Sequence, residues 1–159
     1  MAVEIERKFL VSGDGWREEA DAGRVLRQGY LCGPGPASVR VRVDGERAEL
    51  NIKAAVIGAS RAEYEYPVPL ADAEAMLAEL CVYPPLSKTR YLVRRGGHVW
   101  EIDEFDGANA GLVVAEIELS DPDEAFERPP WLGREVTAER RYYNQALAER
   151  PYREWDDDA

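Results

Sequence analysis

Apolar and polar residues alternate one by one along most of this chain. That is the period of a strand, whose successive side chains face opposite sides. In "EIERKF", Ile5 and Phe9 share one face, and Glu4, Glu6 and Lys8 share the other. "SVRVRV" sets Val39, Val41 and Val43 against Arg40 and Arg42, and "ELNIK" sets Leu50 and Ile52 against Glu49, Asn51 and Lys53. Segments of this kind, bounded by Gly, Pro and Asp, predict eight strands at 3–11, 24–31, 38–44, 47–54, 61–69, 87–95, 98–106 and 111–120. Short turns such as "VDGE" and "RRGGH" join neighbours as hairpins, so the sheet is expected to be largely antiparallel.

Helical spacing shows in three places. Residues 70–80 carry Leu70, Ala73, Leu77 and Leu80 on one stripe, which is expected to pack on the sheet. A weaker pattern covers 14–21, and a third helix is predicted over 137–150 with Thr137 capping its start. No repeat or linker divides the chain. It reads as one α+β domain over 1–150 followed by an acidic tail, 151–159.

The polar faces carry more than solvation requires. "RAEYEY" puts Arg61, Glu63 and Glu65 opposite Tyr64 and Tyr66, and "SKTRY" puts Lys88 with Arg90. "WEIDEF" pairs Glu101 with Asp103, and "AEIEL" pairs Glu116 with Glu118. A solvated sheet would mix its signs, whereas here acids and bases come in blocks. Eight antiparallel strands can close into a barrel whose interior holds side chains or one small ligand. With the charged faces inward, Glu4, Glu6, Glu63, Glu65, Glu116 and Glu118 meet Lys8, Arg40, Arg42, Lys53, Lys88 and Arg90 in the lumen. The valine face of 38–44 is then expected to be buried against a helix or another apolar layer, the Arg40 and Arg42 face to line a cavity, and Arg61 merely to solvate a strand end. So many buried ions need partners. Carboxylate pairs without histidine or thiolate suit a hard cation such as Mg²⁺, and Arg and Lys pairs suit phosphoryl oxygens. A short polyphosphate with a divalent metal uses both halves of that set.

Composition narrows the field further. Acidic residues outnumber basic ones 31 to 20, a net charge of -11, which argues against general affinity for nucleic acid or an anionic membrane. No run approaches the roughly 20 apolar residues of a membrane-spanning helix. Cys32 and Cys81 have no metal or disulfide spacing and fit reduced thiols in the cytoplasm. His98, the only histidine, falls at a turn, which argues against a histidine-based triad. Trp16, Trp100, Trp131 and Tyr30 read as core or lid residues.

Taken in order, "EIERKFLV", "QGYL", "VRVR", "IK", "EYEYP", "KTRY", "WEIDEFDG", "GLVVAEIEL" and "WLGREVT" resemble the CYTH superfamily, the triphosphate tunnel metalloenzymes, over roughly residues 3–147. The resemblance implies an eight-stranded antiparallel tunnel that binds a triphosphate with Mg²⁺ or Mn²⁺. By motif position it makes Glu4, Glu6, Glu116 and Glu118 metal ligands, and Lys8, Arg40, Arg42, Lys53, Lys88 and Arg90 phosphate ligands. Glu63 and Glu65 either orient basic residues or hold metal-bound water, Asp103 supports the ligands from behind, and Lys88 is also a candidate proton acceptor. Members include inorganic and thiamine triphosphatases, class IV adenylyl cyclases and RNA triphosphatases, and fold does not choose among them. No residue set here must read a base or thiazole. Hydrolysis of inorganic tripolyphosphate to pyrophosphate and orthophosphate is therefore the expectation. A cyclase, a thiamine or nucleoside triphosphatase and a non-catalytic polyphosphate- or nucleotide-binding module are the rivals, and a homodimer is left open.

Overall fold

The structure, a computed structural model, describes residues 3–33 and 35–155. The alternating segments form β1 (Val3–Val11), β2 (Arg24–Tyr30), β3 (Ala37–Asp44), β4 (Arg47–Ala54), β5 (Ser60–Pro67), β6 (Leu86–Arg95), β7 (His98–Phe105) and β8 (Val113–Glu118). A ninth strand, β9 (Leu132–Glu135), was not predicted. The strand order is β5-β4-β3-β2-β6-β7-β8-β1, every pairing is antiparallel, and β1 returns to β5, so the eight strands close into a barrel. The closing seam is short, with partners Val3↔Ala62, Glu4↔Arg61 and Ile5↔Ser60. Beyond it β1 peels away from β5, and β9 takes up the freed edge through Phe9↔Glu135 and Val11↔Leu132.

Register fixes which side chains share the interior, because directly opposed residues point to the same face. Glu6 opposes Glu118 and Lys8 opposes Glu116, while Arg90 opposes Asp103 and Glu101 opposes Glu116. Arg42 opposes both Gln28 and Glu49, and Lys53 opposes Glu63. The outward faces build two cores. Phe9, Trp100, Ile102, Ala115 and Ile117 are covered by Trp16 and Trp131, which reach in from loops. On the other side α1 (Leu70–Glu79) lays Ala73 and Leu77 on Val41 and Val43, as the valine face required.

Two helical expectations are corrected. Of 14–21 only a 3₁₀ turn, Gly15–Glu18, forms, because Trp16 anchors in the outer core and Ala20 then bridges to Val93 as extended chain. Of 137–150 only a 3₁₀ turn, Arg140–Tyr142, and α2 (Asn144–Glu149) form. Thr137 caps nothing. Its hydroxyl accepts from Lys8 N at 2.9 Å and donates to Glu135 Oε2 at 2.7 Å, prolonging the β1 edge. Tyr143 is extended, with φ −77 and ψ 143, so the helix starts only after it. Tyr152 N donates to Asn109 Oδ1 at 2.8 Å, and the Trp155 ring meets Tyr142 edge-on at 5.2 Å. Residues 156–159, the acidic part of the expected tail, lie outside the described residues.

Gly29 shows how closely α1 and its following residues approach the barrel. A Cβ there would lie 2.4 Å from Cys81 Sγ and 3.3 Å from Leu77 Cδ2. Gly29→Ala is expected to cost about 1–3 kcal/mol by overpacking, and Cys81→Ala, which removes the offending sulfur, to restore most of it. Urea unfolding of the two single variants and the double variant measures this, and additive losses would refute the contact.

Candidate active site

The barrel interior is divided along its length. At one end the inward side chains are apolar: Tyr30, Leu86, Phe105 and Val114 cluster with Val136, Tyr142, Leu147 and Ala148, so α2 and the segment before it close that end. Above this plug lies a cavity of about 970 Å³, walled by charged residues from β1, β3, β4, β5, β6, β7 and β8.

On one wall Glu6, Glu101 and Glu116 bring carboxylate oxygens within 4.8 Å of one another. Burial, then Glu116 and Glu4, push the Glu6 carboxyl well above its ordinary value. Three crowded oxygen donors without nitrogen or sulfur fit a hard divalent cation, whose charge would relieve that repulsion. Glu116 itself is held low: burial would raise it, but Lys8, 3.4 Å away, and Arg90 outweigh that. Glu118, expected in this group, is exposed and lines the cavity outside the cluster. Glu4 is engaged elsewhere, with Lys53 Nζ at 2.9 Å from one oxygen and Arg61 Nε at 3.8 Å from the other.

The opposite wall holds the bases. Lys53 also sits 3.4 Å from Glu63, which accepts from Asn51 Nδ2 at 2.9 Å. Burial would raise Glu63, but hydrogen bonds from Glu4 and Asn51 and the Lys53 charge bring it down to about 2. Glu65 behaves oppositely: burial, a hydrogen bond with Glu49 and the Glu49 and Glu63 charges push it up to about 7. Among the described residues Arg42 has no carboxylate closer than Glu49 at 4.0 Å, and burial, Arg40 and Arg90 bring its guanidinium down to about 10. Among the described residues Arg40 has no carboxylate within 4.0 Å at all, although it is 6% exposed and its Nε is buried without a hydrogen-bond partner.

Lys88 departs from this pattern. It is 0% exposed and absent from the cavity wall, with Nζ 2.7 Å from Asp103 Oδ2 and donating to Asn144 Oδ1 at 3.1 Å. Asp103 is gripped from two sides, since Arg90 Nε and a terminal nitrogen donate to its two oxygens at 2.8 and 2.9 Å. Burial would raise Asp103, but Arg90 and Lys88 hold it well below its ordinary value of 3.8. Arg90 also donates to Glu101 Oε2 at 2.9 Å, which ties the Asp103 network to the carboxylate cluster.

Sequence reasoning left several wall residues out of the site, Glu101 and Arg61 among them. Glu101 shares its face with Asp103 in "WEIDEF", and its antiparallel partner is Glu116, a signal available once the β7–β8 hairpin is assumed. Arg61 is not a solvated strand end: it lines the cavity, pairs with Glu4 and lies 5.0 Å from the Tyr143 ring centre. Its same-face spacing with Glu63 was the available sign.

A closed antiparallel barrel here sets an acid cluster and weakly paired arginines around one cavity, an arrangement suited to an anion and a cation together. Its sequence matches the CYTH domain over residues 2–152, and the chain belongs to that family. It is 46% identical over 153 residues to the inorganic triphosphatase of Acetivibrio thermocellus, spanning 96% of this chain and 97% of that one. It is 38% identical over 152 residues to the inorganic triphosphatase of Nitrosomonas europaea, spanning 92% and 97%. A crystal structure of an inorganic triphosphatase superposes with a TM-score of 0.64 at 37% identity, over 91% of this chain and 96% of that one.

The Asp103 network gives a stability prediction. Asp103→Asn leaves two buried cations without their carboxylate and is expected to cost about 3–5 kcal/mol at neutral pH. Because the folded value is depressed, this contribution is complete above the ordinary value of 3.8 and fades as pH falls below it. Urea unfolding at pH 7 and pH 3 should show the gap between parent and variant narrowing in acid; a gap that widens would refute the ionised network.

Proposed function

We propose that the cavity binds inorganic tripolyphosphate with a divalent cation, Mg²⁺ or Mn²⁺, and hydrolyses it to pyrophosphate and orthophosphate. The observation that carries this is Arg40: a buried guanidinium facing the cavity with no carboxylate within 4.0 Å among the described residues, opposite a crowded carboxylate cluster. Burying such a charge unpaired is costly unless an anion completes it. Relatives named as inorganic triphosphatases, matched along nearly their whole length, support the same reading.

Lys8, Arg40, Arg42, Lys53, Arg61 and Arg90 line the cavity and supply charge-assisted donors for phosphoryl oxygens. Glu6, Glu101 and Glu116 would hold the cation, with Glu4 and Glu118 beside them on the wall. A bound divalent cation neutralises phosphoryl oxygens and lowers the pKa of water. Water adds to a terminal phosphorus as the P–O bond to the bridging oxygen breaks and pyrophosphate leaves, so alignment and charge stabilisation suffice without a covalent nucleophile. Of the three candidate catalytic residues, Glu65 faces the cavity and is pushed up to about 7, Glu63 faces it but is held at about 2, and Lys88, which burial brings down to about 7, lies beneath the wall. Glu65 is therefore assigned the water proton.

Two free cysteines fit the cytoplasm as the proposed location, and among the described residues no helix is long and apolar enough to cross a membrane.

With Mg²⁺ or Mn²⁺ the purified protein is expected to release orthophosphate and pyrophosphate in equal amounts from tripolyphosphate. A chelator, Glu116→Gln or Glu101→Gln should abolish this, and Arg40→Ala should lower kcat/KM about ten- to hundredfold. ATP converted to pyrophosphate and a cyclic nucleotide faster than tripolyphosphate is cleaved would show a cyclase, and binding without phosphate release a binding module. The proton assignment has its own signature. Glu65 must be ionised to accept a proton, so kcat/KM rises with pH through about 7, and Glu65→Gln should remove that limb. An unchanged pH profile would exclude Glu65.

A further inference from the structure

The "QGYL" stretch of β2 contains a polar residue with no role in the site as described so far. Gln28 lies on the inward face, yet it is 0% exposed and absent from the cavity wall. Its Oε1 accepts a hydrogen bond from Arg42 Nε at 3.1 Å. Its Nε2 is buried with no partner among the described residues. A buried amide with an unsatisfied donor is unfavourable, and an unbranched apolar side chain would fill the same space without that penalty. Another property must keep a glutamine there.

The neighbouring bases supply the comparison. Lys8, Lys53, Lys88 and Arg90 each have a carboxylate within 3.4 Å, which orients the cation and also cancels its charge. Arg42 is oriented differently, through its Nε and by a neutral acceptor, with the nearest carboxylate at 4.0 Å. A guanidinium held by Nε keeps its terminal nitrogens, the pair that binds phosphoryl oxygens bidentately, facing away from the tether. Arg40, next on the same face of β3, has no carboxylate within 4.0 Å among the described residues.

We propose that Gln28 is a positioning residue for the phosphate site: its side-chain carbonyl aims Arg42 into the cavity while leaving the arginine's positive charge uncancelled. This rests on the phosphate-binding role given to Arg42 above. Glutamate at position 28 would aim the arginine equally well but neutralise it, and methionine would leave its charge but not its aim.

Gln28→Met and Gln28→Glu, alone and combined with Arg42→Lys, test the assignment. Gln28→Met exchanges the orphaned Gln28 Nε2 for an orphaned Arg42 Nε, so Tm should change little while kcat/KM for tripolyphosphate falls about tenfold. In that background Arg42→Lys should cost less than about threefold more, because both changes remove one contact. Gln28→Glu should keep Tm and raise KM more than it lowers kcat. Unchanged kcat/KM in Gln28→Met, full additivity with Arg42→Lys, or Tm falling in step with activity in both variants would overturn the proposal. Calorimetric titration of tripolyphosphate into the same proteins in the presence of a chelator separates the two readings. A parent that binds it under chelation yet releases no phosphate once Mg²⁺ or Mn²⁺ is supplied refutes the triphosphatase, while the coupling between Gln28 and Arg42 is still read from affinity. A parent that hydrolyses it with Gln28→Met unaffected refutes only the role of Gln28.

Discussion

A charge taken out of water must be matched, and the interior of this barrel is organised around that requirement. Most inward ions satisfy it within the protein. Asp103 lies between Arg90 and Lys88, Glu4 between Lys53 and Arg61, and Glu116 beside Lys8. The matching fails in two places, and they are the places that matter chemically. Glu6, Glu101 and Glu116 crowd like charges together, and Arg40 and Arg42 stand nearly without acids. Each group lacks what a ligand of the opposite sign would bring.

The scaffold makes such an arrangement affordable by keeping its hydrophobic burial elsewhere. Outside the barrel, α1 and the tryptophan loops cover apolar faces of β3, β6, β7 and β8. Inside, the apolar plug of Tyr30, Leu86, Phe105 and Val114 against α2 seals one end. Closure itself is thin at the β1–β5 seam, where three residue pairs join the sheet edges. A wall with few backbone pairs there is reinforced across the lumen side by Lys53 and Arg61 on Glu4. The same ion pairs that furnish the site therefore also help to hold the barrel shut.

Alternation in the sequence identified the faces well. All eight barrel strands and α1 were legible, because a period of two survives any context that buries one face. What it could not supply is depth along the axis. Lys88 and Arg40 have the same parity, yet Lys88 falls below the cavity against Asn144 while Arg40 opens onto it. Strand tilt sets that difference, and tilt leaves no mark on the pattern. β9 was missed for a related reason: "LGRE" has no alternation and is a strand only because β1 leaves an edge free. The helix over 137–150 was overextended because Tyr142 and Tyr143 are adjacent and buried, and an extended Tyr143 donates its hydroxyl to Thr137 O at 2.7 Å. Glu101 and Arg61 were visible as same-face charges, but only the register showed which acids they meet.

The two unmatched groups also bear on each other. With the carboxylate cluster empty, its negative charge faces the same cavity as the arginines and opposes entry of a polyanion. With the arginines empty, their charge opposes a divalent cation. Binding either ligand removes the repulsion felt by the other, so their affinities must rise together by the same factor. Arg90 strengthens this link mechanically, because one guanidinium contacts Glu101 in the cluster and Asp103 behind the wall. A lumen built this way favours a cation and an anion jointly over either one alone.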